Sequence, residues 1–296
     1  MHPETIAIPR KISAEVPKVE LRRELSRSIK SGHPWVYREA LSAPKGLPAG
    51  SVVDLCEAGG RFLARGLYDP ASPIALRIYT LDESEPVDGQ LFLRRLQRAL
   101  ALRRSLFDKG PEPTDAFRLC HGEGDFLPGV VIDVYAEVAV VVFDGGERGP
   151  ARAFCADIVA ALASFAPELG LHAIYERWQR RAGGGGQLLW GALPAASGEL
   201  CVREHGVRFY VDVVQGQKSG LFLDQRENRR RIARYARGRS VFNGFCYTGG
   251  FSVCAALGGA RRVVSVDRAA PAVGAARRNF TLNGLCPDDH AFFTED

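Results

Sequence analysis

From Ser240 to Asn283 the chain alternates an apolar run, a glycine turn, a helix-length stretch, a β-branched run and a second helix-length stretch. No other feature constrains the fold as much. Ser240–Phe245 and Val263–Asp267 read as strands and Gly249–Leu257 and Ala270–Asn283 as helices, the alternation of a parallel α/β sheet. The turn Asn243-Gly-Phe-Cys-Tyr-Thr-Gly-Gly-Phe251, followed by Val263-Val-Ser-Val-Asp267, has the layout of a nucleotide-cofactor half-site. Gly244 and Gly249 have Walker spacing, but Gly250 and Phe251 stand where Lys and Ser/Thr would hold phosphate and magnesium. The dinucleotide fingerprint G-x-G-x-x-G is absent too, while Asp267 lies at about the right distance to take ribose hydroxyls. The spacing implies a cofactor with a ribose and no pyrophosphate.

The 296 residues have material for roughly two or three domains. No apolar run approaches the roughly 20 residues that span a bilayer, and Met1–Arg10 has no signal-peptide core, so no membrane association and a cytoplasmic location are expected. The seven cysteines include no C-x-x-C pair, which argues against both a disulfide framework and a metal site. The net charge of +5 is mild, but its placement is uneven. Arg226, Arg229, Arg230, Arg231, Arg234, Arg237 and Arg239 crowd one stretch, and Arg10, Lys11, Lys18, Arg22, Arg23, Arg27 and Lys30 precede Gly32-His-Pro-Trp35. Both groups fit a polyanion such as nucleic acid, though the first also fits a solvated helix face.

Short strand-like runs broken by turn residues fill the N-terminal part. Val19–Leu25, Ser51–Leu55, Arg61–Tyr68 and Ile74–Thr80 suggest a small β-barrel, with Glu57-Ala-Gly-Gly60 as a hairpin turn. Asp88–Asp108 is a helical pattern with Leu91, Leu93, Leu96, Leu100, Leu102 and Leu106 on an apolar face, ended by Pro111 and Pro113. Phe117–Cys120, Val130–Val134 and Val138–Phe143 read as strands and Pro150–Phe165 as a helix. Gly183–Gly186 and Pro194–Gly198 read as exposed loops, Val202–His205 and Val207–Val213 as a hairpin turning at Gly206, and Asp224–Arg237 as a helix.

Several of these segments resemble RlmI-type S-adenosylmethionine-dependent methyltransferases, which make 5-methylcytosine in 23S ribosomal RNA. The resemblance is carried by Leu221-Phe-Leu-Asp-Gln-Arg-Glu-Asn-Arg229, Phe242–Phe251 and Val263–Asp267. His33-Pro-Trp-Val-Tyr37, Ala64–Ser72, Gly124–Asp133 and Glu204-His-Gly206 extend it, in order, over nearly the whole chain. It implies an N-terminal arm (1–18), a PUA-like RNA-binding domain (19–84), a central α+β domain (85–205) and the N-terminal half of a Rossmann-like class I methyltransferase domain (206–296). The implied cofactor is S-adenosylmethionine, and the implied partner is 23S-type ribosomal RNA. Pairing with a second copy of the chain is a further expectation.

By the same resemblance Asn243, Phe245, Tyr247, Thr248, Gly249, Gly250 and Phe251 form the loop under the methionine end of the cofactor, and Asp267 takes the ribose. Asp296 falls near the adenine, and Gln225 and Arg226 border the pocket. Lys30, His33, Trp35, Arg229 and Arg230 are the RNA-binding candidates, with Trp35 open to either base stacking or barrel packing. The family's chemistry needs a cysteine thiolate and an Asp-Pro-Pro motif downstream of the third strand. Neither precedes Asp296, so the chain is expected to be C-terminally truncated, to carry no catalytic residue of its own, and to leave Val241–Phe245 as an open edge. Cys246 and Cys254 are read as small buried thiols packing beside the turn, and His121 and His205 as polar structural residues. The competing reading is a non-catalytic RNA-binding protein. A small-molecule methyltransferase is disfavoured because so much of the chain lies outside the half-site.

Overall fold

The computed structural model describes residues 16–107, 112–178, 185–194 and 198–296. The expectations placed on the arm up to residue 15, on Asp108 and Pro111, on Gly183 and Gly184, and on 195–197 lie outside the described residues.

The first unit comprises β1 (Lys18–Leu21), α1 (Ser26–Lys30), β2 (Trp35–Tyr37), β3 (Leu41–Ser42), β4 (Ser51–Cys56), β5 (Phe62–Tyr68) and β6 (Ile74–Thr80). They form one six-stranded sheet in the order β2-β6-β5-β4-β1-β3. β1 shows why: Lys18 and Glu20 face water while Val19 and Leu21 are buried, the two-residue period of a half-covered strand. Val19 packs with Val36, Leu55 and Leu76 in the core of this unit.

The second unit opens with α2 (Gly89–Phe107), whose Leu91, Phe92, Leu96 and Leu100 are buried. Leu102 and Leu106, expected on the same face, are exposed. Two residues beyond Leu100 is about 200° round a helix, so Leu102 cannot share its face. A five-stranded sheet follows, from β7 (Ala116–His121), β8 (Val130–Tyr135), β9 (Val138–Phe143), β10 (Ala173–Trp178) and β11 (Gly185–Gly191), in the order β11-β10-β9-β8-β7. α3 (Cys155–Ser164) and α4 (Ala166–Leu169) cross between β9 and β10, which pair in parallel. β10 and β11 were not anticipated. Gly185 and Gly186, read as loop, pair with Trp178 and Arg177. A Cβ on Gly186 would sit 2.2 Å from the Glu176 carbonyl oxygen, so glycine is there to let backbones meet, not to loosen the chain.

The third unit begins with the hairpin β12 (Glu199–Glu204) and β13 (Val207–Asp212), then α5 (Arg226–Ala236), β14 (Ser240–Gly244), α6 (Gly250–Leu257), β15 (Arg262–Asp267), α7 (Ala270–Leu282) and β16 (Ala291–Thr294). The last three strands pair in parallel in the order β14-β15-β16. The boundary expected between residues 205 and 206 falls in the turn of the hairpin, whose strands pair from Glu199↔Asp212 to Glu204↔Val207. Every residue of Val138–Phe143 is buried because the central sheet is covered on both faces. Val141 and Phe143 join α2 and α3 in one core, while Val140 and Val142 join Val202, Phe209, Val253, Val263 and Phe280 in another.

Candidate cofactor pocket and nucleic-acid surface

Beyond β14 the chain turns through three left-handed residues: Phe245 (φ 57°), Tyr247 (φ 48°) and Gly249 (φ 75°). For Phe and Tyr such backbone costs about 1–3 kcal/mol each and persists only where the surroundings enforce it. Here they do. The Cys246 N–H donates to the Val266 carbonyl (2.9 Å), and the Tyr247 N–H donates to Oδ2 of Asp267 (2.8 Å), whose Oδ1 accepts the Ala269 N–H (3.0 Å). From behind, Asn243 Nδ2 donates to Ser252 Oγ (2.8 Å), which also accepts from Ser265 Oγ (2.7 Å). Asn279 donates to the Thr248 carbonyl (2.9 Å) and accepts the Tyr210 N–H (2.8 Å), tying turn, α7 and hairpin together. At Gly249 a Cβ would lie 2.7 Å from that of Ala276.

The turn opens on a cavity of about 500 Å³. Gln225, Phe245, Tyr247, Thr248, Gly250, Phe251, Asp267 and Asp296 line it, eight of the eleven residues expected there. Asn243 and Gly249 support the turn from behind instead. Arg226 is turned away: its guanidinium lies over the Phe107 ring at 4.3 Å and 3.3 Å from His205 Nδ1, pinning α5 to the end of α2. The opposite wall is Gln217, Leu221 and Phe222, with Arg229, Cys246 and Arg268 completing the lining. No periodicity marks residues 217–222 in the sequence. They are held by contacts from far away: the Gln217 N–H donates to the Tyr247 hydroxyl (2.8 Å), and the Leu221 N–H donates to the Tyr135 hydroxyl (3.2 Å).

Arg229 is not available to RNA. It is 3% exposed and paired through Nε with Oε1 of Glu204 (2.7 Å) and through a terminal nitrogen with Oε2 (2.5 Å), the glutamate being 2% exposed. Its remaining terminal nitrogen donates to the Phe222 carbonyl (3.0 Å). The arginine-rich composition of α5 could not show which member faces inward. Arg230 does face solvent, half exposed and 3.9 Å from Glu112. Lys30 sits 3.3 Å from Glu57 on the barrel. The Trp35 indole N–H donates to Glu123 Oε1 (2.8 Å), so this ring joins barrel to central unit, with His33 edge-on at 6.1 Å.

Burial disfavours the thiolate form of the cysteines beside the turn. Burial, reinforced by the Asp267 carboxylate, pushes Cys246 up to about 11, and burial pushes Cys254 up to about 12. His205 Nε2 lies 3.1 Å from Glu227, and its Nδ1 lies 3.3 Å from Arg226. No helix among the described residues is long and apolar enough to cross a membrane.

A Gly-lined turn beside a helix start, a carboxylate at the end of the second strand and an apolar-aromatic far wall together suit a ribosylated amino-acid cofactor. Comparison with known proteins agrees. Residues 19–81 match a family described as PUA-like domain, and residues 155–295 match one described as S-adenosylmethionine-dependent methyltransferase. The chain is similar to ribosomal RNA large subunit methyltransferase I of Pseudoalteromonas translucida (36% identity over 284 residues, 94% of this chain and 69% of the relative). It is also similar to ribosomal RNA large subunit methyltransferase of Deinococcus radiodurans (40% identity, 92% and 68%). Among solved structures, SMU.776, described as a methyltransferase and complexed with SAH, shares the fold (TM-score 0.81, 24% identity, 95% of this chain and 70% of that one).

Proposed function

The chain belongs to the ribosomal RNA large subunit methyltransferase I family of S-adenosylmethionine-dependent methyltransferases, and on that premise we propose that it serves methylation of cytosine C5 in large-subunit ribosomal RNA, in the cytoplasm. The observation that carries the reading is the pocket between the Asn243–Phe251 turn and the Gln217–Gln225 segment, with Asp267 at its floor. S-adenosylmethionine supplies an electrophilic methyl group when bound. The chain's own residues bind and orient. Asp267, already holding the turn through the Tyr247 N–H, offers carboxylate oxygen to a ribose diol. Gly250, at the start of α6, lines the pocket and leaves room for Arg229, whose Cδ would lie 3.1 Å from a Cβ there. Phe222 and Phe251 supply apolar surface, and Asp296 completes the wall with a second carboxylate.

The barrel and central unit then act as the RNA platform, with Lys30 on the barrel and Arg230 on α5 of the third unit as exposed phosphate contacts. The open edge of β14, where Phe242 is exposed, leaves room for a second copy of the chain to pair; sedimentation would detect it.

The chain's thiols favour a second reading, in which it binds RNA and cofactor without catalysing transfer. Cys246, the cysteine lining the pocket, has a thiol raised by burial, whereas attack on a cytosine ring needs a thiolate. Calorimetric titration with SAH tests the pocket. Binding is expected in the native chain and a loss of at least about tenfold in Asp267→Ala, the scale of losing a hydrogen bond to a charged group. An absence of heat in the native chain refutes the cofactor assignment. Transfer of labelled methyl to a 23S transcript separates the two readings.

A further inference from the structure

The Gln217–Phe222 segment is a partition with a cavity on each side. One is the cofactor pocket; the other is a cleft of about 860 Å³ between this segment and the central sheet, and Gln217, Leu221 and Phe222 line both. We propose that this cleft seats an unpaired nucleotide of the RNA strand flanking the one to be methylated, with its base against Trp178 and Phe222 and its phosphate near Lys218 and Arg177. The proposal rests on the RNA-methyltransferase reading above and adds to it a place for the substrate.

Charge supports it. Three cations, Arg118, Arg177 and Lys218, and two carboxylates, Asp133 and Asp224, line the cleft. Arg118 and Asp133 neutralise each other: Arg118 holds both carboxylate oxygens (2.8 and 3.1 Å), and the Ser219 hydroxyl donates to Oδ2 as well, which leaves Arg177 and Lys218 against Asp224. Arg177, buried, donates to the backbone carbonyls of Val213 and Gly216, and the Asp212 carboxylate offsets its charge without bonding it, so part of that charge is left for an incoming anion. Lys218 is half exposed, 3.7 Å from Asp224, with its ammonium 4.4 Å from the Phe222 ring centroid. Its own backbone is left-handed (φ 52°), the strain found where a segment is clamped for binding.

Aromatic surface with cations beside it is the chemistry that binds unpaired nucleotides, since every base has a face to stack and every link a phosphate. The volume falls within the range of pockets that hold nucleotide-sized ligands, about 300–1,000 Å³. A base in a duplex cannot reach such a recess, so the nucleotide enters unstacked. The partition is anchored from both sides, by the Tyr247 hydroxyl on the cofactor face and, on the other, by Tyr135, which bonds Ser219 and Leu221, and by Asp133, which accepts from Ser219. Its position therefore sets how close the two ligands come.

The test titrates a 5′-fluorescein-labelled oligoribocytidylate into the full chain by anisotropy, with SAH affinity measured in parallel. Trp178→Ala is expected to weaken RNA binding about tenfold, the effect of losing one stacking ring. Lys218→Gln is expected to weaken it about threefold and to lower the salt dependence by roughly one phosphate contact. SAH affinity should hold in both. If Trp178→Ala impairs SAH binding and so disturbs the fold, Lys218→Gln, at an exposed position, decides between a cleft that holds RNA and one that does not. Variants that bind RNA like the native chain while retaining SAH overturn the cleft and leave the methyltransferase reading standing. A native chain that binds SAH but no RNA overturns the cleft and the RNA assignment together.

Discussion

Replacing Glu204 with glutamine puts the buried pair to a quantitative test. The change keeps the shape and removes the charge, leaving the Arg229 guanidinium, 3% exposed, beside a neutral amide. Removing one partner of a buried ion pair costs about 3–5 kcal/mol because the other charge remains desolvated. The glutamine oxygen can still accept one of the two hydrogen bonds and return about 1 kcal/mol, so a net loss of about 2–4 kcal/mol is expected. For a unit of about 100 residues that lowers the melting temperature by roughly 8–30 °C, read as the transition that SAH shifts upward. The double variant Glu204→Met/Arg229→Met removes both charges and should melt above either single variant. It should still bind SAH several-fold more weakly, because the bond from Arg229 to the Phe222 carbonyl is gone while stability has recovered. A loss under about 1 kcal/mol for Glu204→Gln would mean that water reaches the pair and would refute this account of why Arg229 faces inward.

Gly249→Ala should destabilise by at least about 1 kcal/mol and weaken SAH binding, since the position needs φ near 75° and a Cβ meets Ala276; unchanged unfolding in urea would show that the turn relaxes freely. Cys155 and Cys246 are raised by burial to about 11, and Cys120 and Cys254 to about 12, all above the ordinary 9.0. The stability these protonated thiols contribute is complete below about pH 9 and is lost as pH rises toward their folded values, by up to about 1.4 kcal/mol per unit for each. A urea midpoint that holds constant from pH 8 to about pH 10.5 contradicts this. In the native chain a thiol reagent should modify Cys201 and Cys286 rapidly and the buried cysteines only after unfolding; early modification of Cys254 would show that α6 opens.

The parallel strands, the glycine turn and Asp267 were legible because each is written locally: β-branched runs, glycine at the left-handed position, a carboxylate at a strand end. The barrel strands were legible through two-residue alternation. What failed was non-local. β10 and β11 carry glycine and charge where a propensity reading wants Val and Ile, and they exist because β9 offers a parallel edge. The far wall of the pocket, residues 217–222, is shaped by Tyr135 and Tyr247, neither of which is near it in sequence. Arg229 and Arg230 are adjacent and chemically identical, and only tertiary context sends one to Glu204 and the other to solvent.

The central sheet, apolar on both faces, has a consequence for modularity. Alternate residues of Val138–Phe143 belong to different cores, so a cut in the Glu204–Val207 turn would strip one face of the sheet and expose Val140 and Val142 to water. The hairpin on that face would itself be split, β12 staying with the sheet and β13 leaving with the other piece. Each product would expose apolar surface that the intact chain buries, which weighs against lifting the α/β unit out as a cassette. Variation that preserves both cores must enter at loops and outer faces, leaving the spacing between barrel and pocket as an inherited constant of the molecule.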